Sequence, residues 1–376
     1  MKSVLVTGAT GTIGSALVPR LLGEPSTQLD LLIRSKGQAD LERRLAEMLQ
    51  YWNIPPGDPR ALRIRAIEGD ISLPNFGLGT AEVSRLVANT SHIIHSAASV
   101  KLNMTLELAR ATAVLPTRTV LSLARQCQQS GQLCKVDLVS TVGVWGRTPG
   151  HMPERPLPEV KEFHNTYEAA KAEAERVIWS EGADLPITVH RPSMVVGERQ
   201  RGRVIHFQVF YHLCEFLSGA RTFGIMPKLG LTQLDTIPVD WVADAICWSN
   251  ARPETAGRIF HLCSGPDRAI ALTRLQAHVR ELFRAKGRMV PRLIGVDRRL
   301  LERLVPWIGV LAGAKTRRAL RGLSPVLAYL AESQGFSNSE TAQTLGDAGL
   351  PIPGVDQYLD VVLSYYLDRP RTLHDT

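Results

Sequence analysis

The chain has 376 residues, 44% of them hydrophobic and 21% charged, a composition that folds and lies far from that of a disordered protein. Lys and Arg number 44 against 36 Asp and Glu, a formal charge of +8 spread without a run of five like charges; this disfavours a nucleic-acid groove and suits a small phosphate-bearing partner. Five cysteines (Cys127, Cys134, Cys214, Cys247, Cys263) lack CxxC spacing, which argues against a disulfide framework or a metal site and for a reducing, cytoplasmic setting.

In chain order, Val4 to Val6 is a short β-rich run that stops in a glycine turn, so it reads as a strand and not as a secretory signal. The helical pattern SALVPRLLG follows. The alternation then recurs, with strands expected at Leu29 to Ile33, Arg63 to Glu68, Ile93 to His95, Val136 to Ser140 and Ile187 to His190. Helices are expected at Ala39 to Tyr51, Ala81 to Ala88, Leu115 to Gln129 and Tyr167 to Glu181. Repeated βα units with nearly all-apolar strands imply an α/β fold of Rossmann type, a doubly wound parallel sheet covered on both faces.

After Arg191-Pro192 the pattern loosens from Glu198 to Leu234, an expected substrate-side insertion, before Ile237 to Asp240 and Ile259 to Leu262 restore strand-like segments. From about Leu272 the chain reads as helical: LTRLQAHVRELFRAKG, DRRLLERLVPWIGVLAGA, and a helix opened by Ser337-Asn338-Ser339-Glu340, a capping-box pattern. The expected division is a nucleotide-binding domain over 1–267, with its insertion at about 198–235, and a smaller, mostly helical substrate subdomain over 268–376. The apolar stretch Leu304 to Ala314 is about half the length a bilayer requires, so no membrane span is expected and only peripheral membrane contact stays open.

A glycine turn between strand and helix lets the backbone approach a pyrophosphate, whose charge meets free amides and the helix dipole. Gly8, Gly11 and Gly14, with Thr10, Thr12 and Ile13 between them, form that turn here; the bland alternative is a tight βα connection. An NAD site wants an acid at the end of the second strand, but LDLLIRS ends in Arg34, where a guanidinium would meet a 2′-phosphate. NADPH is therefore the expected cofactor. Arg43 or Arg44 on the next helix is a candidate second contact.

Tyr167 and Lys171 stand four residues apart and so share a helix face. A nearby ammonium is expected to lower the phenol's pKa and make it a proton donor near neutral pH. About 26 residues upstream, VDLVS ends at Ser140-Thr141, at the sheet edge that faces a cofactor crevice; Thr141 is favoured over Ser140 as the inward hydroxyl. His92 and His95 fall on opposite faces of a strand and make no metal pair, and His164 near Tyr167 reads as structural.

TGATGTIG, Asp70 in EGDIS, HSAAS at His95 to Ser99, VSTVGVWG, YEAAK, HRPSMVVG and IPVDWVADAI occur in the order and spacing of the extended short-chain dehydrogenase/reductases, which residues 1 to 265 resemble. Within them, IRS followed by ERRLAEML and GDISLPNFGLGTAEVSRLVANTSHIIHSAASVKL is similar to the thioester reductase and fatty acyl reductase branch, including the terminal domains of carboxylic acid reductases and peptide synthetases. The tail from Ser324 is more loosely similar to fatty acyl reductases. The resemblance implies Asp70 and Ile71 at the adenine, Ala97 and Ala98 on the cofactor's ribose side, Arg34 and Arg44 at the 2′-phosphate, Thr141, Tyr167 and Lys171 in catalysis, and Pro192 at the nicotinamide. Two departures stand out. Ala170 replaces the usual Ser before the lysine, and Ala113 to Thr117 replaces an NVxGT-like stretch, so the asparagine behind Lys171 in the usual proton path is missing.

The function so implied is NADPH-dependent reduction of an acyl thioester, on coenzyme A or an acidic carrier protein, to an aldehyde, with a further step to the alcohol left open. Alternatives are another extended short-chain reductase acting on a sterol-like or nucleotide-sugar substrate, or a non-catalytic NADPH-binding regulator. Arg199, Arg201, Arg203, Arg221 and Lys228, against Glu198, Glu215 and Asp235, would steer an anionic substrate or else form a solvated rim. LVPWIGVLAGA would cover the acyl chain or else form subdomain core.

Overall fold

The computed structural model describes residues 2–102, 104–230, 232–296 and 334–369. The Rossmann unit runs β1 (Lys2–Thr7), α1 (Thr12–Leu21), β2 (Thr27–Ile33), α2 (Gln38–Tyr51), β3 (Ile64–Glu68), α3 (Thr80–Asn89), β4 (His92–His95), α4 (Leu106–Gln129), β5 (Lys135–Val139), α5 (Thr166–Glu181) and β6 (Ile187–Pro192). The chain continues through α6 (Val209–Leu217), α7 (Val239–Asn250), β7 (Ile259–Leu262), α8 (Leu272–Ala285), α9 (Ser339–Asp347) and α10 (Leu359–Asp368).

Seven parallel strands form one sheet in the order β7-β6-β5-β4-β1-β2-β3. The inner strands β5 and β6 are buried at every residue, their polar side chains included; the edge strand β3 alternates because only one of its faces is covered. Helices α1, α2 and α7 pack on one face, around Leu17, Met48 and Trp241. Helices α3, α4 and α5 pack on the other, around Leu86, Val120 and Ile178. The order reverses between β1 and β4, which opens a crevice at their carboxyl ends.

The expected strands all form, within a residue or two at most ends. Helix α4 starts at Leu106, not Leu115: it is capped by the Thr105 hydroxyl, which accepts from Leu108 N at 3.3 Å, and it accommodates Pro116 internally. Val239-Asp240 opens α7 instead of ending a strand, because Pro238 takes the extended cap position. The looser stretch after β6 contains α6 and short ladders: 194–196 pairs with 236–238, 225–227 with 294–296, and 233–234 with 270–271. With α8 and α10 it builds a second core around Tyr211, Phe216, Val279 and Val362.

Helix α9 begins where expected, but the capping box does not form. The Asn338 amide donates to the Cys263 carbonyl at 2.8 Å, and the open amides of Glu340 and Thr341 donate to Glu154 Oε2 at 3.0 and 3.1 Å. Leu345 and Ile352 then pack into the core beside α1 and α7. The expected helix DRRLLERLVPWIGVLAGA, with the Leu304 to Ala314 stretch, lies outside the described residues. Among the described residues no helix is long and apolar enough to cross a membrane.

Candidate active site

The turn after β1 has no room for side chains. Gly8 takes φ +78°, and a Cβ there would stand 2.6 Å from the Ala97 nitrogen; a Cβ on Gly14 would stand 2.0 Å from the Gly8 carbonyl oxygen. Gly11 donates to the Gly8 carbonyl at 2.9 Å, and α1 starts at once, with neither a side-chain cap nor an acid in its first turn. Gly8 is thus packed against Ala97 and Gly14 against Gly8, and the helix start at Thr10, Gly11, Thr12 and Ile13 is left uncapped, a cradle that suits a pyrophosphate. Ala97 and Ala98, after β4, form the opposite wall.

At the other end of the crevice Arg34 is exposed at the tip of β2, and Arg44 from α2 reaches back to donate to the Arg34 carbonyl. Arg43, the other candidate, is engaged by Asp40 and Glu47. Asp70 accepts from Ser72 N at 2.9 Å and Ser72 Oγ at 2.7 Å. Burial opposes its charge, but these two bonds and the Arg34 guanidinium hold the carboxyl below its usual range. Ile71 follows it, half-buried. These residues fit a phosphorylated adenosine: two guanidinium groups at the strand end, a fixed carboxylate beyond, and the nearby acids Asp40 and Glu68 turned to the Lys36 and Gly37 amides.

Thr141 and Tyr167 come together as expected. The Thr141 hydroxyl, on the turn after β5, lies beside the phenol of Tyr167 and accepts from Gly143 N at 3.2 Å. Tyr167 sits in the first turn of α5, whose start is fixed by the Asn165 side chain accepting from Glu168 N at 3.0 Å. Lys171, 7% exposed, donates from Nζ to the Val139 carbonyl at 2.9 Å. Pro192 is buried at the end of β6, two strands from β4.

The expected acidification of Tyr167 is not found. Burial, then the neighbouring Glu168 carboxylate, push its pKa up to about 12, with only the Thr141 hydroxyl pulling down. Burial also lowers Lys171 to about 8. The protein alone thus holds a neutral phenol beside an ammonium poised to lose its proton, because desolvation opposes charge on both.

Ser140 is resolved from Thr141 by a network that the sequence reading missed. The Ser140 hydroxyl donates to Glu175 Oε2 at 2.7 Å. Glu175, one turn beyond Lys171, forms a fully buried ion pair with Arg191 of β6, whose Nε lies 3.1 Å from both carboxylate oxygens. Arg191 Nη1 meets His261 Nε2 at 3.0 Å, and His261 Nδ1 meets the Ser337 carbonyl at 2.8 Å, which fixes the ring as the neutral tautomer with its proton on Nδ1. The visible signal was an acid four residues after Lys171, on the helix face that packs against the sheet.

The remaining candidates are structural. His164 Nδ1 lies 2.9 Å from Glu168, His95 Nδ1 lies 2.7 Å from the Thr7 hydroxyl, and His92 pairs with Ser91. Among the described residues no group of His, Cys, Asp or Glu could hold a metal ion. The basic rim is less free than its composition suggests: Arg199 pairs with Asp240 and Asp244, and Arg203 stacks 4.0 Å over the Tyr51 ring while bonding its carbonyl. Arg201 and Lys228 are exposed; the side chain of Arg221 lies outside the described residues.

Comparison with known proteins places residues 6–246 in the family described as Male sterility protein. The isonitrile lipopeptide synthase of Streptomyces coeruleorubidus is 30% identical over 269 residues, 70% of this chain and 18% of that protein. The fatty acyl-CoA reductase wat of Drosophila melanogaster is 27% identical over 285 residues, 67% of this chain and 55% of that protein. The chain therefore spans from less than a fifth to about half the length of these curated relatives. Among solved structures, the terminal R domain from the myxalamid PKS-NRPS biosynthetic pathway superposes with a TM-score of 0.80 at 26% identity, covering 98% of this chain and 90% of that one.

Proposed function

The chain belongs to the NAD-binding family described as Male sterility protein, and on that premise we propose that it uses NADPH to reduce an acyl thioester, carried by coenzyme A or by a carrier protein, to an aldehyde. A second hydride transfer would carry the aldehyde to the alcohol. The observation that carries this reading is the meeting of Thr141 and Tyr167 over the carboxyl edge of the sheet, with the buried Lys171 one turn along α5. In this reading residues 1–267 hold the cofactor, with the insertion at about 198–235 on the substrate side, and residues 268–376 form the substrate subdomain.

NADPH would supply the hydride, with its phosphates on the turn from Gly8 to Gly14, its 2′-phosphate at Arg34 and Arg44, its adenine by Asp70 and Ile71, and its ribose and nicotinamide by Ala97, Ala98, Lys171 and Pro192. As the thioester carbonyl carbon becomes tetrahedral, negative charge grows on its oxygen. Thr141 and Tyr167 are the two hydroxyls placed to donate to that oxygen, and such preorganised donors favour the charge most when water is excluded. A phenol held neutral is the right ground state for a donor; Tyr167 gives its proton as the oxyanion forms and takes one back from solvent before the next turnover. Breaking the C–S bond returns the hydroxyl proton to the departing thiolate and leaves the aldehyde.

The test is NADPH oxidation over a panel of acyl-CoA thioesters and acylated carrier proteins, with product analysis. Thioester-dependent oxidation with aldehyde or alcohol as product is expected. Oxidation only with sterols or nucleotide sugars would overturn the reading.

A further inference from the structure

Two charges are removed entirely from water at the pairing of Glu175 and Arg191, which are 1% and 0% exposed. A buried ion pair is a poor source of net stability, since a well-packed apolar pair of the same volume often does as well. What distinguishes Glu175 is what it ties together. It stands on α5 one turn beyond Lys171, and its Oε2 accepts from Ser140, the residue between Val139 and Thr141. Lys171 itself is anchored on the Val139 carbonyl. Arg191, held by both carboxylate oxygens, immediately precedes Pro192. One carboxylate therefore joins the strand end that carries Thr141, the helix that carries Tyr167 and Lys171, and the strand end at the nicotinamide side.

We propose that Glu175 is a positioning residue: it locks the ends of β5 and β6 against α5, so that the Thr141 and Tyr167 hydroxyls converge on one point. The proposal rests on the reductase reading above. The asparagine expected behind Lys171 is absent, and the lysine instead takes a backbone carbonyl on the strand that Glu175 secures through Ser140. Loosening that link moves Thr141 relative to Tyr167 while leaving the phosphate cradle, at β1 and α1, untouched. A misplacement of about 1 Å is enough to cost large factors in rate.

The experiment compares Ser140→Ala, Ser140→Thr, Glu175→Gln and Tyr167→Phe, measuring kcat and KM for the thioester, NADPH dissociation by fluorescence, and Tm. Ser140→Ala leaves the buried ion pair intact, so it folds even where Glu175→Gln does not. We expect Ser140→Ala to lower kcat about tenfold with KM and NADPH affinity little changed, the pattern of an interaction used in the transition state, and Ser140→Thr to restore most of it. An Ser140→Ala enzyme with unchanged kcat overturns the proposal. So does one whose NADPH affinity and Tm fall along with kcat, since that marks general loosening. If Tyr167→Phe keeps full turnover, the reductase site itself is wrongly assigned; if Tyr167→Phe is inactive and Ser140→Ala is unaffected, only the role of Glu175 fails.

Discussion

The ammonium of Lys171 lies 2.9 Å from the carbonyl oxygen of Val139, so the helix that carries Tyr167 is pinned by its own lysine to the strand that ends in Thr141. Burial around this bond holds the Lys171 pKa down to about 8. The ammonium that makes this bond is thus present below pH 8 and lost above it. We expect kcat to fall on the alkaline side with an apparent pKa near 8, and Lys171→Met to be slow at every pH. A profile that stays flat to pH 10 would remove the lysine charge from the mechanism.

Arg34 stands exposed at the tip of β2, within electrostatic reach of Asp70. Arg34→Asp replaces a charge-assisted phosphate contact by repulsion and should cost on the order of 2 to 4 kcal/mol of NADPH preference. Titration with NADPH and NADH reads the shift directly. Unchanged selectivity would mean that the 2′-phosphate is held elsewhere.

Gly14→Ala tests the cradle. Its Cβ would fall 2.0 Å from the Gly8 carbonyl oxygen, a backbone atom that cannot swing aside. Overpacking of this kind costs roughly 1 to 3 kcal/mol, which a denaturant titration measures, and cofactor binding should be lost with it. Wild-type affinity in this variant would show that the turn does not carry the phosphates.

The charged rim now yields a narrower expectation than composition alone suggests. Arg203 is committed to Tyr51 and Arg199 to Asp240 and Asp244, which leaves Arg201 and Lys228 exposed to meet an anionic substrate. Arg201→Glu should raise KM for a coenzyme A thioester at low salt and leave it nearly unchanged at high salt, where charges are screened within about 8 Å. Arg203→Glu should instead lower Tm. A phosphate-free pantetheine thioester serves as the control; an equal rise in its KM would refute steering.

Acid should destabilise the fold before it protonates most carboxylates. Burial lowers His92 to about 4 and both His95 and His261 to about 3, while in the unfolded chain each binds its proton near pH 6.5. The unfolded state thus gains protons that the folded state refuses, and stability is lost as pH falls below about 6.5 toward 4. Asp235, raised to about 6 by burial, works the other way, because it takes up a proton in the folded state first. Burial raises Asp30, Glu154 and Glu198 in the same sense as Asp235, but the three histidine shifts are the larger, so Tm should drop between pH 6.5 and 4; a constant Tm over that range contradicts their burial as neutral rings.

The apolar strands, the glycine turn and the Tyr167–Lys171 spacing were legible in the sequence because each follows from a short period or a local steric need. The approach of Thr141 to Tyr167 followed from strand-end position, and Ser140 turned out to face Glu175 instead. What escaped was set by residues far apart in the chain. Glu175 drew no notice because its partner Arg191 stands on another element, β6. The cap of α9 came from Glu154, some 185 residues earlier, where the local Ser-x-x-Glu pattern had offered its own. The direction of the Tyr167 shift depended on burial, which spacing does not reveal.

The segment from α9 to α10 begins with Leu345 and Ile352 in the core beside α1 and ends with Tyr358, Val362 and Leu363 in the core beside α6 and α8. It is stitched at its start by Glu154 and shares the His261 to Arg191 chain. Neither core can therefore come apart without tearing a strap that is rooted in the other. Thermodynamically the two halves are one cooperative unit: damage deep in the second core lowers the melting of the nucleotide-binding half as well, with no altered contact to any cofactor.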